Sequence, residues 1–131
     1  LKQAGTRFAA RQSSNLRRSI MSRDDAYIYD MMESAQAILG YMAGKTWVEF
    51  SKDALLQDAV VRRLEIIGEA AGRVSAETQK KYSYIPWMAM RGTRNRVIHG
   101  YDSVQLDIIW DIVQDDLPGL ISELKKIIPN S

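Results

Sequence analysis

The sequence predicts an all-α protein built as a four-to-five-helix up-and-down bundle, and three observations carry that expectation. Apolar residues recur at steps of three and one through long stretches, the spacing that lines one face of a helix. No segment shows the apolar-polar alternation of a half-buried strand, and there is no internal repeat or low-complexity tract. At 131 residues, 46% apolar and 26% charged, the chain has the size of one compact domain. That is long enough to bury roughly two thirds of the unfolded surface without covalent staples.

Residues 1–21 read as a leader. They contain Lys2, Arg7, Arg11, Arg17 and Arg18 but no acid, and they end where Met21-Ser22-Arg23-Asp24-Asp25 reads like a fresh protein start. A misplaced start or a cloning remnant accounts for such a segment, and an Arg-rich transit peptide is the alternative. The bundle domain is therefore expected over 22–131. Its first helix carries Ile28, Met31, Met32, Ala35, Ile38, Leu39 and Met42 on one stripe, with Ser22 or Asp24 as cap and Gly44 as a left-handed stop. A second helix is expected from 51 to about 74. Leu55, Leu56, Val60, Leu64, Ile67 and Ala71 face inward on it, and Gly68 and Gly72 let another backbone come close. Residues 75–85 read as a polar, tyrosine-containing connection. Pro86 suits a first helical turn, where its missing N–H costs nothing, so a third helix should run from 86 to about 99 and stop at Gly100. Asp102 or Ser103 would cap a fourth, striped by Leu106, Ile109, Trp110, Val113, Leu117 and Leu120, with Pro118 kinking or splitting it.

The chain has no cysteine and one histidine, so it can build neither a disulfide nor a zinc site of cysteines or several histidines. Hydrolytic chemistry has to come from the acids, bases and cations present, and neither a metal nor another cofactor is expected. No stretch approaches the roughly 20 apolar residues that span a bilayer. No membrane association is expected, and a cytoplasmic location suits a cysteine-free chain. The net charge of +2 comes from the leader, since from Met21 onward 13 bases face 16 acids. Overall basicity therefore says nothing about nucleic acid, and only local charge can.

Between positions 78 and 101 lies the one sizeable acid-free cationic stretch beyond the leader. Lys80, Lys81, Arg91, Arg94, Arg96 and His99 are interleaved there with Tyr82, Tyr84, Trp87 and Tyr101. Cations attract phosphates, while aromatic faces and guanidinium planes stack on unpaired bases, which suits single-stranded RNA or a nucleotide. A solvated helix face with its tyrosines in the core has the same composition. Within the stretch, Arg94-Asn95-Arg96-Val97-Ile98-His99-Gly100-Tyr101 sets an Arg, four residues, a His, one residue and a Tyr.

This motif resembles the signature of the HepT-like toxins of the HEPN superfamily, small helical ribonucleases encoded beside a minimal nucleotidyltransferase antitoxin. The resemblance extends to Arg63-Leu64-Glu65-Ile66-Ile67-Gly68-Glu69-Ala70, to Pro86-Trp87, to Ile109-Trp110 and to Asp116-Leu117-Pro118, covering about 22–128. It implies a HEPN-like homodimer that cleaves RNA without a metal, in a cleft at the dimer interface. Arg94 and His99 are then the catalytic pair; the motif assigns neither Arg91 nor Arg96, and these two with Asn95, Lys80 and Lys81 are candidates for RNA binding by the charge of the stretch alone. Tyr101 is the residue whose hydroxyl an MntA-like antitoxin modifies with AMP. The implied partners are RNA, that nucleotidyltransferase and a second copy of the chain.

Residue chemistry is compatible with these roles. Metal-free cleavage proceeds by attack of a ribose 2′-hydroxyl on the adjacent phosphorus, which needs proton transfer and stabilisation of charge on the nonbridging oxygens. His99 is the side chain whose ordinary pKa of about 6.5 lies near neutrality, and Arg94 offers a permanently charged planar fork. A capping or packing histidine is the plain alternative. On one straight helix, positions five apart point roughly 140° from each other, so Arg94 and His99 would not share a face. A two-fold dimer that sets the third helix against its mate would gather both pairs into one cleft. Distortion near Gly100, or the length of the Arg94 side chain, would instead join them within one protomer.

AMP on Tyr101 would add phosphate charge and bulk beside the pair and oppose RNA, whereas an unmodified tyrosine simply packs its ring and wets its hydroxyl. Asp107, Asp111, Asp115 and Asp116 lie along the fourth helix as a solvated stripe, a magnesium site or a match for a partner's cationic patch. Glu65 and Glu69 suit ion pairs with Arg62 and Arg63 or across subunits. Two other functions stay open: a non-catalytic helical subunit that binds a nucleotide or a nucleotidyltransferase, and a magnesium-dependent enzyme using the carboxylate stripe.

Overall fold

The computed structural model describes residues 22–99 and 103–128, with positions 94, 98, 99 and 103 described by their backbone alone. Residues 1–21, expected as a leader, together with Gly100, Tyr101, Asp102 and 129–131 lie outside the described residues. Helix α1 (Arg23–Met42) starts at Ser22, whose Oγ accepts from the Asp25 N–H at 3.1 Å, and it stops before Gly44, which takes the left-handed φ of 73°. Of the two expected caps, Ser22 has the role. Helix α2 (Trp47–Ser51) opens on a capping box in which Thr46 Oγ1 accepts from the Glu49 N–H and Glu49 Oε1 from the Thr46 N–H. These bonds hold the Glu49 carboxyl below its usual range.

Helix α3 (Ala54–Arg73) begins at Ala54 rather than Ser51, because Asp53 caps it by accepting from the Leu56 N–H at 3.0 Å. That start leaves Leu55 81% exposed, off the stripe it was expected to join, while Val60, Leu64, Ile67 and Ala71 are buried as expected. Helix α4 (Ala76–Lys81) occupies the supposed polar connection. Ser75 caps it, Glu77 sits in its first turn and Lys80 and Lys81 in its last, the charge order a helix dipole favours.

The third helix departs most from expectation. In place of one run from 86 to 99 there are α5 (Trp87–Arg91), α6 (Thr93–Val97) and a strand β1 (Ile98–His99). Strand β1 pairs antiparallel with β2 (Ser103–Val104), Ile98 opposite Val104 and His99 opposite Ser103. Pro86 stands at the N-cap, just outside the first turn. Gly92 interrupts the run with ψ near 0°, and Thr93 Oγ1 donates back to the Ala89 carbonyl at 3.1 Å, a bond that bends helices. The chain leaves the helix at Val97, whose carbonyl accepts the Gln105 N–H at 2.7 Å. The turn into the ladder thus precedes Gly100.

The fourth helix also starts late. Helix α7 (Leu106–Asp111) has Gln105 at its N-cap with no side-chain bond, and Ser103 belongs to the ladder instead of capping. Pro118 splits the run as expected. Residues Ile112–Asp116 form a π-helical turn, and α8 (Leu117–Ile127) resumes with the proline at its start. Pro118 has no N–H for the Gln114 carbonyl and crowds it, so the chain widens, and the Leu117 N–H donates to the Ile112 carbonyl.

Helix α1 packs along α3 and along α8, and α3 carries α5 and α6. The core is continuous: Ile28, Met31, Met32 and Ile38 meet Phe50, Val60, Ile109 and Leu124 with no exposed surface. Each such side chain contributes roughly 1.5–3 kcal/mol on burial. No helix among the described residues is long and apolar enough to cross a membrane.

Candidate functional site

The segment carrying the Arg-x4-His motif is fixed to the bundle at two places. A Cβ at Gly68 would lie 3.0 Å from the Met90 carbonyl oxygen, so the backbone of α5 rests directly on α3. At Gly72 the Arg91 side chain fills the space, its Nε 3.5 Å from where a Cβ would be. The two glycines thus permit the expected close approach. The second anchor is Trp87, buried, whose Nε1–H donates to the Tyr82 carbonyl at 3.0 Å. Trp87 therefore serves the core and is not free to stack on a base. Tyr82 and Tyr84 meet edge to face at 6.2 Å, the Lys81 ammonium lies 5.4 Å from the Tyr82 ring centre, and Tyr84 is half-exposed.

Helix α6 carries Arg94, Asn95 and Arg96, and β1 carries His99. The two ends of the motif therefore stand on different elements, so the 140° separation expected on one straight helix does not apply. The helix end at Val97 and the ladder beyond it lie between them. Asn95 and Arg96 are exposed on α6, and Arg91 is exposed at the end of α5. Among the described residues neither Arg91 nor Arg96 forms an ion pair. Lys80 and Lys81 are exposed on the last turn of α4, separated from α6 along the chain by residues 82–86 and α5. Tyr101 lies outside the described residues.

The remaining charged candidates have separate settings. Asp107, Asp111, Asp115 and Asp116 are all exposed, and no three or more His, Cys, Asp or Glu residues gather into a metal-binding group among the described residues. Glu65 pairs with Arg62 at 3.6 Å on the surface of α3, whereas the Arg63 Nε–H donates to the Tyr41 hydroxyl at 3.3 Å. Sequence patterning missed α2, α4 and the two-residue ladder. Signals for the two helices were present in Thr46-x-x-Glu49 and in Ser75 followed by Glu77.

The fold and the segment define a small helical domain in which Arg94 lies on α6 and His99 on β1, on either side of the junction between helix and ladder. Residues 31–127 match the family described as Ribonuclease HepT-like. The chain belongs to this HepT-like ribonuclease family and is an RNA-cleaving enzyme. It is 39% identical over 103 residues to a protein of Methanocaldococcus jannaschii named as an RNase, covering 79% of this chain and 85% of that one. A second protein of that organism named as an RNase is 35% identical over 107 residues, 80% of this chain and 98% of the relative. The "Probable ribonuclease HepT" of Thermococcus cleftensis is 32% identical over 101 residues, 77% of this chain and 92% of the relative. No solved structure matches the chain.

Proposed function

We propose that this enzyme is a metal-independent endoribonuclease toxin, acting as a cytoplasmic homodimer and neutralised by a nucleotidyltransferase antitoxin that places AMP on Tyr101. Family membership, together with an Arg-x4-His pair that the backbone sets across the α6–β1 junction, supports this reading most. In the reaction a bond forms between the ribose 2′-oxygen and phosphorus while the bond from phosphorus to the 5′-oxygen breaks. The products are a 2′,3′-cyclic phosphate and a 5′-hydroxyl. The His99 imidazole takes the 2′-hydroxyl proton, and the departing 5′-oxygen receives one from the second protomer's imidazolium or from water. Arg94 binds the nonbridging oxygens with its planar fork and favours the transition state, where their charge is greatest. Arg91, Asn95 and Arg96 hold the strand on either side, and Lys80 and Lys81 extend the cationic track. AMP on Tyr101, two residues past His99 in the sequence, adds a phosphate and a nucleoside to the motif and opposes RNA by charge and bulk.

The test is cleavage of RNA by purified protein in excess EDTA, with the ends of the fragments identified. Wild type should cut and leave cyclic phosphate, while Arg94→Ala and His99→Ala should each lose about 100-fold or more. Tyr101→Phe should still cut but take up no AMP from the nucleotidyltransferase and ATP. Cleavage that needs magnesium and survives His99→Ala would overturn the assignment. Tight binding of the nucleotidyltransferase by a chain that never cuts would point to the non-catalytic subunit.

A further inference from the structure

Between α3, α5, α6, the π-helical turn and α8 lies a cavity of about 430 Å3, within the size range of ligand-binding pockets. Leu64, Ile67, Met90, Ile112, Leu117 and Leu120 make it largely apolar. Its charged lining is Arg96 with Asp115, Asp116 and Glu123, of which Glu123 is already paired with Lys126 at 3.1 Å, leaving the two aspartates as the carboxylates open to a partner. Two consecutive aspartates reach it because the π-helical turn around Pro118 is wider than an α-helix. Successive residues there are separated by less than the about 100° of an α-helix, which brings neighbouring side chains onto one rim. Asp115 and Asp116 form no ion pair among the described residues.

The surrounding sequence has the same sign. From position 98 through 123 there is no Lys or Arg, while Asp102, Asp107, Asp111, Asp115, Asp116 and Glu123 are all present; Lys125 and Lys126 follow, the latter paired with Glu123. A phosphate backbone is repelled by such a rim, so the strand being cut is the wrong occupant. An apolar group with cations beside it satisfies both the walls and the rim. We infer that this cavity is a docking site for a polypeptide partner that inserts an apolar side chain flanked by lysine or arginine. The apolar side chain fills the cavity, and its cationic neighbours meet Asp115 and Asp116 at the mouth. Gly119 lines the cavity, and a Cβ built there meets nothing within 4 Å. Space is therefore open at that point of α8. The nuclease reading shares Arg96 with this cavity's lining and otherwise uses other residues, so the variants below leave Arg96 unchanged.

The experiment measures binding of a fluorescein-labelled Lys-Arg-Leu-Phe-Arg-Lys peptide to the full chain, with the methyl NMR signals of Ile67, Met90, Ile112 and Leu120 followed during the titration. Binding should shift those methyls, and a peptide with glutamates in place of its cations should not bind. Gly119→Met, which fills the open space, and the paired Asp115→Asn and Asp116→Asn change should each weaken binding at least about tenfold. Gly119→Ala, too small to block the cavity, should keep it. RNA cleavage in EDTA should be unchanged in all three variants, so failure of the nuclease reading is scored separately. Equal binding of the acidic peptide, or shifts confined to other methyls, would overturn the inference. So would an RNA oligonucleotide moving the same methyls, with cleavage lost in Gly119→Met. Self-association abolished by Gly119→Met would also overturn it, by making a second copy the occupant.

Discussion

Asp24 shows how much one side chain can join. The Ser75 N–H and the hydroxyls of Ser75 and Thr78 all donate to its carboxylate, tying the start of α1 to the start of α4. Those side-chain bonds hold its carboxyl below the ordinary value of 3.8, against a smaller opposing effect of burial. A depressed folded pKa means the stabilisation is fully present above the unfolded value and is lost as pH falls through the folded one. Asp24→Ala should therefore cost about 1 kcal/mol near neutrality, a figure reduced for the partial exposure of the site. The charge-dependent part of that difference should shrink on going from neutral to strongly acidic pH, as the carboxylate is protonated. Urea unfolding of both proteins at the two pH values checks it, and equal stability at neutrality would remove the role. The sequence shows Asp24 as a helix-start acid but not this clasp, because its partners stand 51 and 54 positions away. Arg94, His99 and Tyr101 stand out in the sequence for the opposite reason: one short contiguous motif carries the family resemblance from which their proposed roles come.

At the scale of elements, legibility followed length. The stripes of α1, α3 and α8 are set by burial along three turns or more, and the residues expected inside are buried or, like Leu39, Leu56 and Ile127, partly buried against the core, except Leu55. Helices α2 and α4 rest on caps rather than stripes. The ladder depends on two strands whose register is invisible to a one-dimensional pattern. The bend at Gly92 and Thr93 and the exit at Val97 decide where His99 stands, and periodicity alone favoured a continuous helix. The contact that holds this bent segment is testable. Gly68→Ala would press a Cβ to 3.0 Å from the Met90 carbonyl oxygen, and backbone cannot turn aside as a side chain can. Helix α5 would have to move from α3 at a cost of about 1–3 kcal/mol, carrying α6 with it, so RNA cleavage should fall as well. Gly72→Ala meets only the flexible Arg91 side chain at 3.5 Å and gains helix propensity of roughly 0.5–1 kcal/mol. It should unfold thermally at or slightly above the wild-type temperature, and an equal loss in both variants would refute the account.

For the whole molecule, the open question is whether a cleavage site is complete within one protomer. The break between α6 and β1 removes the geometric objection to a single-chain site, since Arg94 and His99 no longer share a straight helix. Exposed cations on α5 and α6 leave a face that a second copy can meet across a two-fold axis, with the same residues supplied twice. Mixing two inactive variants separates these arrangements. If one cleft draws an arginine and a histidine from both protomers, a dimer of Arg94→Ala with His99→Ala still holds one of each. Its cleavage in EDTA should rise at least about tenfold above either variant alone. If each protomer carries its own site, every site in the mixture lacks a group, and no activity returns. The measurement requires exchange of subunits, which sedimentation of the mixture at several concentrations establishes. In the shared arrangement, activity per chain should also fall on dilution in step with dissociation of the dimer. Recovery absent from a mixture that has demonstrably exchanged would show that the shared cleft does not exist, and that the helix-to-ladder junction assembles the pair alone.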